Sequence, residues 1–295
     1  MKFLKTMFQR LDPHFETDGK LARLAAIYEA TKTIFFFPSP QVRTAPHIRD
    51  NLDLKRFMSF VLISLFPVTL FGIYNAGLQA RWAAGSEAGF LDTLATGAVH
   101  VIPIILVSYI VGFFWEILFA ALRRHEISEG FLVTGLLFPL TLPPTIPLWQ
   151  VAIGISFGIV MGKEIFGGTG RNLLNPALVA RAFVFFSYPA TMSGNAVWTI
   201  KENAVDAVSA ATPLALSSNT EAVADVVVNA GFTLKTLILG TYPGSIGGTS
   251  ALLCFVGGAF LVFTRIANFR IIRCIIAGLA ATATLFQLLP GLHRT

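Results

Sequence analysis

Residues 57–74 read Phe-Met-Ser-Phe-Val-Leu-Ile-Ser-Leu-Phe-Pro-Val-Thr-Leu-Phe-Gly-Ile-Tyr, a run without a charged side chain. About 20 apolar residues span the hydrocarbon core of a bilayer as a helix, fewer where flanking side chains snorkel or the bilayer thins. The run therefore predicts a transmembrane helix. Working outward, Val101 to Trp115 repeats the pattern, as do Leu148 to Gly162 and Leu252 to Thr264, and Ile271 to Leu289 carries only Arg273. The whole chain agrees: 54% of its residues are hydrophobic, 13% are charged, 27 are Phe, and the mean hydropathy is +0.69. A transmembrane β-barrel would show short alternating segments instead. The fold class expected is an all-α polytopic membrane protein.

Charge sets the expected orientation. Residues 1–56 hold ten Lys and Arg against six Asp and Glu, and basic segments stay cytoplasmic. Within this arm Phe3, Leu4, Met7, Phe8 and Leu11 recur at helical spacing, as do Leu21, Leu24, Ala25 and Tyr28, which predicts interfacial amphipathic helices on the membrane lipid. No charged n-region with a following apolar core opens the chain, so no cleavable signal peptide is expected. From a cytoplasmic N-terminus, seven spans are predicted, at about 57–76, 101–121, 131–142, 147–162, 175–189, 249–264 and 271–289. This path puts Arg123, Arg124, Lys163, Arg171, Arg265 and Arg270 inside. It puts residues 190–248, with two Lys against four Asp and Glu, outside. Orientation accounts for the net charge of +6, and no nucleic-acid partner is expected.

A few residues do not look like membrane filler. Asp206-Ala207-Val208-Ser209-Ala210-Ala211-Thr212-Pro213 is a polar island in the outer region. Such residues favour helix caps and turns, and the threonine hydroxyl also offers an oxygen through which a phosphate-bearing cofactor can be esterified. Glu116, beside Trp115 in the second span, has two readings. An ionised group in a bilayer is by default a candidate for ion or proton handling; the other reading is a carboxylate reaching Arg123 or Arg124. Glu164, beside Lys163, reads as interfacial and structural. Arg181, inside the fifth span, would need a carboxylate, a carbonyl cage or an anionic ligand if buried. Gly167-Gly168-Thr169-Gly170-Arg171-Asn172 has a phosphate-loop flavour, but its spacing matches neither nucleotide fingerprint, and a tight turn is the better reading. Asn175-Pro176 predicts a helix start with Pro at the first position. Pro243 to Ser250 is a second small-residue turn, suited to close approach of a ring or phosphate or to plain helix packing. The five His are scattered, and Cys254 and Cys274 read as packing residues, so no resident metal is expected.

Taken in order, these segments resemble a known family. Phe15-Glu16, Gly19-Lys20, His47-Ile48-Arg49-Asp50, Phe66-Pro67, Phe114-Trp115-Glu116, Pro143-Pro144-Thr145, Lys163-Glu164, Phe166 to Asn172, Asn175-Pro176-Ala177, Arg181-Ala182-Phe183 and Pro243 to Gly247 are similar to the B-subunit family of the bacterial sodium-translocating NADH:quinone oxidoreductases. The related D subunits of Rnf complexes share its flavin-threonine motif; the long arm before the first span favours the quinone reductase.

The resemblance implies FMN joined by a phosphoester to Thr212, with Asp206, Ser209 and Ala211 completing the attachment motif and Ala210 standing where Gly is commoner. It implies a second, non-covalent flavin (riboflavin), ubiquinone as electron acceptor, Na+ as the transported ion and Glu116 as a membrane acid tied to sodium uptake. It implies as partners the other subunits of a six-subunit complex, one of which oxidises NADH, and a flavin transferase acting outside the cytoplasm. The location implied is the bacterial inner membrane. The family often has two glycines before Phe-Trp-Glu; here the second is Phe113, whose ring is expected to narrow a quinone or inhibitor pocket. The family fold is a ten-helix bundle of two related five-helix halves. The expected organisation is thus an arm at 1–56, a first half at 57–189, an outer loop carrying the attachment motif at 190–248, and the start of a second half at 249–295. On that pattern about seven helices are present and the chain is short by roughly the last three. A passive channel or transporter and a structural scaffold are the readings from other classes.

Overall fold

The computed structural model describes residues 54–86, 89–123, 130–200, 211–217 and 227–288. The basic arm before residue 54 lies outside the described residues, as do Arg124, Asp206, Ser209 and Ala210. Among the described residues there is no β-strand. The main helices are α1 (Leu54–Ala83), α2 (Phe90–Arg123), α3 (Gly130–Leu140), α4 (Leu148–Ile159) and α5 (Pro176–Ser187). Short helices follow at α6 (Pro189–Met192), α7 (Pro213–Ser217) and α8 (Leu234–Leu239), then the longer α9 (Ala251–Phe263) and α10 (Phe269–Leu288). Every predicted span coincides with a helix. Segments of α1, α2 and α10 are long and apolar enough to cross a membrane; α3, α5 and α9 are shorter apolar helices.

The largest boundary difference is at α2, which begins at Phe90 rather than near residue 101. The apolar run marks only the hydrocarbon-embedded part. The helix continues beyond it because residues 90–100 include good helix formers, and Asp92 in the first turn complements the helix dipole. At 34 residues, α2 is about 51 Å long, well beyond a hydrocarbon core of about 30 Å.

α2 is central, packing against α1, α3 and α4. Its buried residues are Thr93, Gly97, Val101, Ile104, Ser108, Gly112, Glu116 and Ala120, spaced by threes and fours along one stripe. Most are small or polar, while Ile102, Leu106, Ile110 and Phe114 face outward. This inverted pattern follows from the solvent. Lipid is as apolar as leucine, so helices associate through close packing and interhelical hydrogen bonds. The Ser108 hydroxyl donates to the Gly135 carbonyl at 2.9 Å and Tyr109 to the Leu132 carbonyl at 2.7 Å, tying α2 to α3. A Cβ on Gly97 would overlap the Ile73 carbonyl oxygen, and one on Gly77 the Thr93 carbonyl oxygen; α1 and α2 cross backbone to backbone.

Between α3 and α4 the chain is broken by Thr141 to Pro147, with Pro at 143, 144 and 147. Broken backbone at membrane depth needs partners. The glycine-rich turn supplies them: Ile246 N–H donates to the Leu142 carbonyl at 3.0 Å and Gly247 N–H to the Leu140 carbonyl at 2.7 Å. Asn75 on α1 adds its side-chain amide to the Tyr242 carbonyl at 3.0 Å. Of the two uses considered for Pro243–Ser250, the one observed is backbone packing. A Cβ on Gly247 would lie 2.7 Å from that of Leu140. Ser250 then caps α9, accepting from Leu253 N–H at 3.4 Å.

Cys254 and Cys274 are free and exposed, which corrects their reading as packing residues. The helices that carry them, α9 and α10, turn most of their apolar surface outward.

Candidate functional site

Glu116 stands on the buried stripe of α2, two turns before the helix ends at Arg123. Its side chain is 1% exposed. An uncompensated carboxylate there would cost several kcal/mol, about 3–5 when a buried pair is broken. The compensation comes from α4. After Ile159 this helix widens into a π-helical turn, Val160–Glu164, closed by Ile165 N–H to the Val160 carbonyl at 3.0 Å. Widened turns of this kind occur frequently at functional sites. This one buries Gly162, Lys163 and Glu164 together. The Lys163 ammonium donates to Glu116 Oε1 and lies 3.8 Å from Glu164 Oε1.

Glu164 is fully buried, which corrects its reading as an interfacial residue. Its Oε2 accepts from Arg123 Nη1 at 3.4 Å, where Arg123 is about a third exposed at 36%. Arg123 also lies over the Phe119 ring at 5.2 Å. Among the described residues, four charged side chains from two helices thus form one cluster, two acids and two bases, open to solvent at Arg123 and closed at Glu116. Arg123 is therefore bound to Glu164, and among the described residues Lys163 is a base on Glu116. Among the described residues, Glu164 Oε1 has no hydrogen-bond donor within reach.

The surroundings are closely packed. Trp115 Nε1 donates to Ser156 Oγ at 2.8 Å, fixing α2 against α4 beside Glu116. Gly162 lets the π turn approach Pro176 and Val179 of α5, where a Cβ would meet them at 3.2–3.4 Å. Asn175 caps α5 by accepting from Ala177 N–H at 2.9 Å, with Pro176 in the first turn, as the sequence predicts. Phe113 packs edge-on to Phe131 with centroids 4.7 Å apart.

The Gly167–Asn172 segment is a turn that continues the π turn. The N–H groups of Gly167, Gly168, Gly170 and Arg171 donate to Glu164 O, Lys163 O, Asn172 Oδ1 and Gly168 O. Those donors are therefore engaged within the turn and by the π turn before it, which bears out the tight-turn reading. Positive φ at Gly167, Gly168 and Gly170 explains the glycines. Arg181 is exposed, so the condition set for a buried guanidinium does not arise.

Thr212 precedes the short helix α7 and is half-buried. Its Oγ1 accepts from Ala215 N–H at 3.1 Å, and its carbonyl accepts from Leu216 N–H at 3.1 Å. The local role is a helix cap. That hydrogen bond uses a lone pair of the hydroxyl oxygen and leaves its O–H bond without an acceptor among the described residues, so the same oxygen can carry an ester. Neighbouring Ala211 is also half-buried. Sequence reasoning singled out Glu116 and Thr212 but passed over Lys163 as a partner for Glu116. The available signal was a Lys-Glu pair directly ending an apolar run.

A family model described as the NQR2, RnfD, RnfE family matches residues 41–294. The chain is 46% identical to the B subunit of the Na(+)-translocating NADH-quinone reductase of Klebsiella pneumoniae subsp. pneumoniae, over 97% of this chain and 76% of that protein. It is 46% identical to the protein of the same name in Pseudomonas aeruginosa, over 96% of this chain and 75% of that one. The corresponding figures for Neisseria meningitidis serogroup B are 44%, 96% and 75%. The chain thus spans about three quarters of the length of these relatives.

Proposed function

The chain belongs to the NQR2, RnfD, RnfE family, and from that premise we propose that it is the membrane subunit of a sodium-pumping NADH:ubiquinone oxidoreductase. It carries FMN covalently on Thr212, passes electrons through flavins to quinone, and couples that transfer to sodium translocation in the bacterial inner membrane. The observation that carries this reading is identity of 44–46% across nearly the whole chain with proteins named as the B subunit of that enzyme. The family name also covers Rnf subunits; the names of these relatives favour the quinone reductase.

The local chemistry supports each part. FMN, when bound, supplies one- and two-electron redox chemistry. The chain's own contribution at that point is an anchor, a half-buried threonine oxygen held at the start of α7 by Ala215 N–H. Asp206, Ser209 and Ala211 complete the sequence pattern on which a transferase acts. Sodium is a hard cation that prefers oxygen ligands, and Glu116 offers a carboxylate at the closed end of the charged cluster. Riboflavin, the other subunits of the complex and the flavin transferase belong to the same proposal, as does the division into two five-helix halves.

Two measurements test it. Denatured protein from cells that contain the transferase fluoresces as a flavin band in a gel, and Thr212→Ala abolishes the band; a fluorescent Thr212→Ala protein refutes the threonine ester. In the assembled complex, Glu116→Gln weakens sodium-stimulated quinone reduction by raising the sodium concentration for half-maximal rate. An unaltered sodium dependence removes Glu116 from ion handling.

A further inference from the structure

We propose that Lys163 is a tethered cation: its ammonium holds the position between Glu116 and Glu164 that a transported sodium ion takes over, so that lysine and sodium exchange at one site. This rests on the reading of Glu116 as an ion-handling residue and adds the group that competes for it.

The geometry points to the exchange in three ways. The ammonium is directly bonded to Glu116 Oε1 and is 3.8 Å from Glu164 Oε1, so it marks where a monovalent cation is stable between two carboxylates. Glu164 Oε1 is fully buried, faces this point and has no hydrogen-bond donor among the described residues. A sodium ion there would give that oxygen the partner it lacks, because a spherical cation takes oxygen ligands from any direction while an ammonium has only three N–H directions. The lysine is also mounted to move. Its four-carbon stem is flexible, and it springs from a π turn, a widened turn within an otherwise α-helical run. That turn is followed by Gly167 and Gly168, both at positive φ.

Charge explains why such a device is useful. Without the lysine, Glu116 would lose a buried counter-ion, an unfavourable change. With it, the cluster of Glu116, Glu164, Lys163 and Arg123 is neutral before sodium arrives. Sodium entering as the ammonium swings toward the solvent-open end at Arg123 leaves the charge between the acids unchanged. The lysine's return then assists release. Competition lowers the apparent affinity in proportion to the lysine-out population. If that population is about one tenth, the apparent dissociation constant is raised about tenfold.

The test uses the assembled complex and two variants, with equilibrium binding of radioactive sodium and the sodium dependence of quinone reduction as readouts. Lys163→Gln removes the competitor, and half-saturation falls by about tenfold. Lys163→Arg keeps the charge but clamps Glu116 with a planar fork, and half-saturation rises several-fold. The opposite signs distinguish a competitor from a structural counter-ion, whose loss would weaken sodium binding. Half-saturation that rises or stays level in Lys163→Gln overturns the proposal, as does an unchanged value in Lys163→Arg, which decides alone if the neutral variant does not assemble. Glu116→Gln separates the two levels. If it raises half-saturation while the Lys163 variants do nothing, only the exchange fails; if it has no effect, the reading beneath it fails.

Discussion

Trp115 and Glu116 are adjacent in sequence and do opposite things. The indole crosses to Ser156 through a single neutral hydrogen bond, while the carboxylate depends on a charged partner. Interhelical hydrogen bonds in membranes average about 0.6 kcal/mol and reach about 1.7. Ser156 also donates to the Ala152 carbonyl at 2.7 Å, so it stays satisfied when the indole is lost. Trp115→Phe is therefore expected to lower the stability of the complex by less than about 1.7 kcal/mol, read as a small fall in its thermal transition, with sodium half-saturation unchanged. A large shift in sodium dependence would show that Trp115 orients Glu116 and does more than pack beside it. At this scale the sequence was legible where a single residue broke the local rule, as Glu116 does inside an apolar run. It was not legible where the environment is made by another element. Lys163 and Glu164 look like ordinary interfacial charges until the π turn and the approach of α5 bury them, and neither depends on local propensity.

Helix contacts in this molecule are set by what is missing from side chains. At Gly97 even one methyl group would overlap the Ile73 carbonyl oxygen, whereas a Cβ at Gly258 on α9 meets nothing within 4 Å. The pair makes a controlled comparison. Gly258→Ala should leave stability unchanged or raise it by up to about 1 kcal/mol, from helix propensity. Gly97→Ala gains the same propensity but pushes α1 from α2, with a net loss of about 1–3 kcal/mol expected from overpacking. Thermal unfolding of the detergent-solubilised complex measures both; equal transitions for the two variants would mean that α1 and α2 can separate at little cost. The existence of each span was readable from run length and charge, because lipid imposes that pattern directly. Less was readable about ends and seams. The eleven residues by which α2 outruns its apolar core obey helix propensity and not hydropathy. The pairing of Gly247 with Leu140 joins segments more than a hundred positions apart, and no local pattern encodes such a partner.

At the scale of the whole molecule, charge sets the expected direction across the membrane. On the positive-inside rule, the Arg123 end of α2 is expected in the cytoplasm and the segment bearing Thr212 on the opposite side. The two functional proposals depend on this jointly. A transferase outside the cytoplasm reaches Thr212 only if that segment is external, and the charged cluster then opens inward at Arg123, so sodium would meet Glu116 from the cytoplasmic side. Reporter fusions test the arrangement directly. Alkaline phosphatase, which folds only outside the cytoplasm, is expected to be active when fused after Asn229 and inactive when fused after Arg123; a fluorescent protein that matures only inside should give the reverse. The opposite pattern would place the mouth of the cluster outside and Thr212 inside, and would undo the flavin attachment route and the direction of sodium entry together. A result with both fusion sites on one side would instead mean that one of the short helices, α3 to α5, does not cross, since an odd number of crossings must separate the two points. Because α3 and α4 are joined by the proline break and sealed by residues 246 and 247, they are the pair for which a single shared crossing as a broken helix, and so an even count, is physically available.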